Sequence, residues 1–352
     1  MNLDTIWEEY GFDKLQEGMD RLFPTYDLSF SELMHRLMQG DLIDVLSDLL
    51  KACIGEMAGA TVGMKNVFVW LMVLGVVSAL MSHFVEVFDR HQVADLSFYF
   101  LYLLMSAILL KCFAQASEIA VEAMENVALF SRLLVPAYLV AVGIAAGSLT
   151  AGAYYELLLV LICGVEQILL GVVVPLIYSY CLLAVINGIW IEEKLNLLIE
   201  LFEKLLGWIL KASLWLVTGI SVFQSVLTPV VDAVKNDALQ KAISAIPGIG
   251  NGAEGVVNLA VGSAVIVKNS VGLGLLILLL FLCAGPLFQL FLIALLLKAA
   301  AAFMGIVSDK RIISCTNRVG DGAFFLFKLT GTTMLLFLIT IAVVAISTNR
   351  GI

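Results

Sequence analysis

Residues 271–307 read VGLGLLILLLFLCAGPLFQLFLIALLLKAAAAFMGIV, with Lys298 as the one charged side chain in the whole stretch. About 20 apolar residues of helix cross roughly 30 Å of hydrocarbon, so this run exceeds a single ordinary crossing. Residues 155–191 form a second such run, interrupted by Glu156 and by Glu166-Gln167. Shorter apolar segments lie at about 66–82, 97–113, 133–150, 206–227 and 323–347, with a weaker glycine-rich stretch at 245–267. The composition agrees: 61% of residues are hydrophobic, 14% are charged, and the mean hydropathy is +1.01. A soluble domain carries about 25% charged residues, so this chain lacks the polar surface to cover itself. Only helices and closed barrels satisfy their backbone in lipid, and no alternating barrel pattern is present. The fold expected is all-α, a polytopic helical membrane protein.

The formal charge of −9, without a basic patch, leaves nothing to neutralise phosphates, so no nucleic-acid partner is expected. Membrane lipid is the expected surrounding. Cys53, Cys112, Cys163, Cys181, Cys283 and Cys315 stand at no metal-binding spacing, and most sit among apolar neighbours as packing residues do. His35, His83 and His91 form no H-x-x-H or H-E-x-x-H set. No metal and no cofactor are expected. GNGAEG, Gly250 to Gly255, matches G-x-G-x-x-G in form. A dinucleotide loop follows a strand and is answered by an acid about 20 residues on; here NDALQKAIS reads as helix, and no acid follows Glu254 before Asp309. No nucleophile, base and orienting acid assemble by spacing, and no G-x-S-G occurs. A non-enzymatic protein is expected.

Residues 1–60 differ from the rest. WEEYGFDKLQEGMDRLF, SFSELMHRLM and DLIDVLSDLLKACIGEM alternate apolar and charged residues at helical spacing. Ser29 and Glu32 fit a capping box, and Gly40-Asp41 reads as a stop and a new N-cap. This is an amphipathic helical region for a membrane surface or a partner. It shows no signal-peptide n-region or h-region, so targeting is expected from the first membrane helix or from a segment removed beforehand. Residues 61–131 hold the first two membrane helices and an acidic amphipathic connector with Glu118, Glu122 and Glu125.

The six prolines suggest a duplication. Pro136 and Pro175 are 39 positions apart, as are Pro247 and Pro286, and the two pairs are offset by 111. Pro175 and Pro286 open the related phrases PLIYSYCLLAV and PLFQLFLIALL, each followed by a charged turn, EEK at 192–194 and SDKR at 308–311. Two membrane repeats of proline-broken helices, 132–243 and 244–352, are expected. In that register AIPGIGNGAEG is the counterpart of LVPAYLVAVGIAAG. Gly248, Gly250, Gly252 and Gly255 then read as a hinge or close-packing element rather than a ligand loop.

Lys194, Lys204 and Lys211 follow the first long run, and Lys298, Lys310, Arg311 and Arg318 lie within or after the second. The positive-inside rule places both clusters in the cytoplasm, with Lys194, Lys310 and Arg311 in cytoplasmic turns. Equivalent points of the repeats then share one side, and residues 1–60 and 114–131 fall on the other. Ten membrane segments are counted, or six to eight crossings if paired short segments are re-entrant. Glu156, Glu166 and Gln167 interrupt an apolar run, and Asn187, Gln224 and Gln289 interrupt apolar runs nearer their ends. A charge at mid-bilayer costs roughly 2.5–3.5 kcal/mol. Such residues read either as a relay or pore lining or as interhelical hydrogen-bond formers, and Lys298 either as functional or as snorkelling to the interface.

Residues 246–322, with the Pro-Gly-rich turn, VKNSVG at 267–272, the proline-broken helix expected from Cys283, LLLKAAAA and SDKRI, resemble the stage III sporulation protein AE family of endospore-forming bacteria. The likeness extends from about residue 60 to the C-terminus. It implies a multi-pass protein of the mother-cell membrane around the forespore, in a channel complex with secretion-like parts required for endospore formation. It implies as partners a secretion-type ATPase, ring-forming proteins of the same operon and, indirectly, a forespore-membrane protein, and a role as membrane platform or export gate. The repeat and broken helices independently suggest an alternative, a self-sufficient secondary transporter using the buried glutamates. A third reading is a structural anchor that docks soluble rings through residues 1–60. Self-association is left open.

Overall fold

Apolar side chains recurring every three or four residues give each segment one face to bury, and the chain answers with long helices. The computed structural model describes residues 91–146, 160–190, 194–243, 250–305 and 309–347, with scattered positions between 16 and 77; side-chain surroundings are described for 98–133, 160–190, 194–219, 272–305 and 309–341 and for those scattered positions. The elements are α1 His91–Ala146, a π-helical turn Leu169–Val173, α2 Val174–Asn187, α3 Asn196–Ile243, α4 Gly250–Met304 and α5 Lys310–Ser347. Residues 160–168 are helical and lead into the π-turn. Among the described residues, Phe98–Leu133, Val160–Asn187, Gly272–Met304 and Lys310–Ile341 are long and apolar enough to cross a membrane. The protein is an all-α, multi-pass membrane protein.

α1 runs unbroken through the acidic stretch and past Pro136. At 56 residues it spans roughly 84 Å, far more than a bilayer core. Glu118, Glu122 and Glu125 all face outward from it, while Ala116, Ala120, Met124 and Val127 lie fully buried on its inner face. α4 is also continuous, with Pro286 inside it. There the proline removes one N–H, and the ladder loses a bond without ending; in lipid every other backbone bond still favours helix. Pro175 lies at the start of α2, directly after the π-turn. Pro247 and Gly248 lie outside the described residues, and Gly250, Gly252 and Gly255 occupy the first turns of α4.

α5 is the central helix: α1, α2, α3 and α4 all pack on it, α1 also packs on α4, and α2 on α3. Its buried face carries Val319, Ala323, Leu326, Leu329 and Leu336. Thr316, Thr333 and Thr340 are buried in it without penalty, because each hydroxyl donates to the carbonyl four residues earlier. Cys112, Cys181, Cys283 and Cys315 are buried as small apolar packers and Cys163 is half-buried, all with free thiols. Two glycines permit close approach. At Gly322 an added Cβ meets the Cys181 sulfur and the Phe113 ring, where α1, α2 and α5 converge. At Gly188 it meets the Tyr102 hydroxyl.

α2 and α4 run toward one end of the bundle, and α3 and α5 run away from it, so the charged turns after Asn187 and Met304 lie together. The last carbonyls of α2 are satisfied there: Ile189 and Trp190 N–H groups donate to Ile186 and Asn187, and the Tyr102 hydroxyl donates to the Val185 carbonyl at 2.5 Å. Removing that hydroxyl, as in Tyr102→Phe, is expected to lower stability by about 1–2 kcal/mol, read as a lower melting temperature of the purified protein in detergent. At the same end an added Cβ at Gly75 meets the Met304 side chain, and at the far end one at Gly18 meets Leu133.

Candidate functional site

Two polar groups stand out in this apolar bundle. The first lies at the turn end. Asn187, 2% exposed, accepts the Leu195 N–H at 2.8 Å and donates to the Asn196 carboxamide oxygen at 2.8 Å. The turn from α2 to α3 is therefore closed by one side chain. The same Asn196 oxygen accepts from Arg318 of α5 at 2.6 Å. Asp309 caps α5, accepting the Arg311 N–H at 2.8 Å, and the Arg311 guanidinium lies 3.5 Å from the centre of the Phe98 ring on α1. Lys298 of α4 pairs with Asp321 at 2.6 Å and donates to Asn317 at 2.8 Å. The lysine clamps α4 to α5. Lys194 lies over the Trp190 ring at 5.5 Å, and Lys310 is exposed beside the other turn.

The second group is Glu166. Ile162, Glu166, Leu169 and Val173 share the buried face at helical spacing, which carries the carboxyl inward, 4% exposed. Gln167, one position on, points outward. The Glu166 Oε1 is buried without a hydrogen-bond partner, so the interhelical hydrogen bond weighed from the sequence is not made at that oxygen. Arg132 of α1 is close enough to act on it electrostatically, and Cys163 lies one turn before it. The π-turn begins three residues later; such turns recur at functional sites because they disturb the helical ladder locally. Gln289 is half-buried on α4, and Glu156 lies outside the described residues. No group of three or more His, Cys, Asp or Glu side chains suited to a metal occurs among the described residues.

Asn187, Lys298, Arg311 and Arg318 stood out in the sequence as polar interruptions or basic residues, whereas Tyr102, Asn196 and Asp321 did not. Their partners lie up to 122 positions away, and no local pattern encodes that pairing. The family model of stage III sporulation protein AE matches residues 28–348. The chain belongs to that family. A relative within it, stage III sporulation protein AE of Bacillus subtilis (strain 168), is 20% identical over 280 residues, covering 79% of this chain and 70% of the relative. No solved structure matches. Family membership and the four membrane-competent helices among the described residues make this chain a multi-pass membrane protein of sporulation.

Proposed function

We propose that the protein is a non-enzymatic membrane platform or export gate of a channel complex in the mother-cell membrane around the forespore. Its partners would be a secretion-type ATPase and ring-forming proteins of its operon and, through them, a forespore-membrane protein. The observation that carries this reading is the family match across nearly the whole chain. The bundle's build supports it. Its turn end is cross-tied by Asn187, Asn196, Arg318, Lys298 and Asp321, as suits a rigid mount. The expected duplication of 132–243 and 244–352, with both charged turns cytoplasmic, would give that mount two related halves.

A mild-detergent pull-down from sporulating cells tests the reading. The ATPase and ring proteins are expected at near-stoichiometric levels; recovery of this chain alone overturns it. The second reading, a self-sufficient secondary transporter, draws on Glu166, whose buried unbonded oxygen sits beside a π-turn. The two differ at that residue. On the platform reading Glu166→Gln leaves spore yield within about twofold of wild type. A loss of spores by orders of magnitude, with partner recovery intact, favours transport.

A further inference from the structure

Among the described residues Glu166 is the only charged side chain in the buried core, 4% exposed. Its Oε1 has no hydrogen-bond partner. Burying a polar group without a partner is costly, and burying a bare carboxylate far more so. This carboxyl therefore needs a donor, a cation or a proton.

Few groups are at hand to supply the first two. Cys181 of α2 lies against Gly322 of α5. Counted back from that contact, Glu166 lies about 22 Å along the helix, level with Phe337 of α5. α5 carries no ionisable side chain from 329 to 347, and α3 carries none from 212 to 231. From 269 to 297 α4 has only the Cys283 thiol, which is buried. On α1, Glu118, Glu122 and Glu125 face outward. Asp20 and Arg21, in the segment whose Gly18 approaches Leu133, are exposed. Cys163, one turn before Glu166, offers only a weak S–H donor. Arg132 of α1 remains. It acts on Glu166 electrostatically but leaves Oε1 unbonded, and it is exposed. A guanidinium facing hydrocarbon costs roughly 2.5–3.5 kcal/mol at mid-bilayer, so Arg132 marks a level where the bundle meets headgroups and water.

The backbone supplies a way to move the carboxyl. The π-turn Leu169–Val173 follows Glu166 directly along the helix and holds one residue more than an α-turn. Passing that residue along the helix rotates the preceding segment by about 100° and shifts it by about 1.5 Å. Such a step takes Glu166 off the buried face.

We propose that Glu166 is a proton-binding site with Arg132 as its counter-charge. The carboxylate takes one proton from water at the Arg132 end, and the acid so formed is the buried state. When the segment turns at the π-turn, the same O–H bond breaks, the proton returns to water, and the carboxylate stands beside the guanidinium. The proposal names what Glu166 would carry on the transporter reading, yet it rests on the geometry of the site. Its readout is separate from spore yield, so either can fail without the other.

The test treats the full chain in native membranes with dicyclohexylcarbodiimide, an apolar reagent for buried protonated carboxyls. The acid O–H adds across a C=N bond of the reagent, and the adduct rearranges to a stable N-acylurea that peptide mass spectrometry locates. Glu166 is expected to be labelled at acid pH and to lose the label along a one-proton curve as pH rises. Glu166→Gln should lose the label at that position while keeping helical circular dichroism. A water-soluble carbodiimide should label Glu118, Glu122 and Glu125 and spare Glu166. Arg132→Gln removes the cation that favours the carboxylate, so its label should persist to higher pH while labelling at acid pH matches wild type. Glu166 unlabelled at every pH, labelled equally at every pH, or following the same pH curve in Arg132→Gln overturns the proposal.

Discussion

Gly322→Leu is expected to leave almost no folded protein. The glycine sits where three helices meet, and an added Cβ already runs into the Cys181 sulfur of α2 and comes within 3.3 Å of the Phe113 ring of α1. Neither neighbour can yield easily. Cys181 is 0% exposed and Phe113 1%, and the Phe113 ring packs edge-on against Tyr178 at 5.1 Å between centroids. Overpacking a dense interior costs about 1–3 kcal/mol for a small addition and more for a large one. Stability totals only about 5–15 kcal/mol. Gly322→Ala should survive at reduced yield with a lower melting temperature. Gly164→Ala, whose added Cβ meets nothing, should behave as wild type. The measurement is the yield of monodisperse protein in detergent with its melting temperature. A Gly322→Leu protein that matches wild type in both would mean the helices do not converge there.

How much of this was legible depends on the range of each interaction. The membrane class follows from runs such as 271–307 because hydrocarbon tests length and apolarity, both local properties. The turns at 188–195 and 305–309 were readable as charge between apolar runs. Glu166 stood out for the same reason, as a carboxylate among leucines. Its separation from Gln167 was not readable, because that needs the phase of the helix. The phase is set by the seam Ile162, Leu169 and Val173. The π-turn shifts that seam by geometry that LLGVV does not announce. The acidic stretch of α1 reads as amphipathic in either setting; its continuity with both flanking segments depends on the partners buried along it. Pro286 shows the converse. A proline is a strong local signal, yet one missing bond is outweighed when every neighbouring amide needs the ladder.

The second large effect is expected at Asn187. Asn187→Leu removes the acceptor of the Leu195 N–H and the donor to Asn196 together, and it does so at a position 2% exposed. Each buried group left unpaired costs about 1–3 kcal/mol, so a loss of about 2–5 kcal/mol is expected. The consequence travels further than the turn, because the Asn196 oxygen also holds Arg318. One Arg318 nitrogen is already buried without a partner, so a displaced Asn196 leaves that guanidinium nearly unsatisfied between α3 and α5. Asn187→Asp separates the contributions. It keeps an acceptor for Leu195 but sets a second acceptor against the Asn196 oxygen, which can turn its amide instead. It should therefore cost less than Asn187→Leu. Arg318→Met should lower stability by itself and add little in the Asn187→Leu background, since both changes break one network. Melting temperatures of the four variants against wild type decide it. Fully additive losses would mean that the α2–α3 turn and α5 are held independently, and that the two helical hairpins are not locked through Asn196.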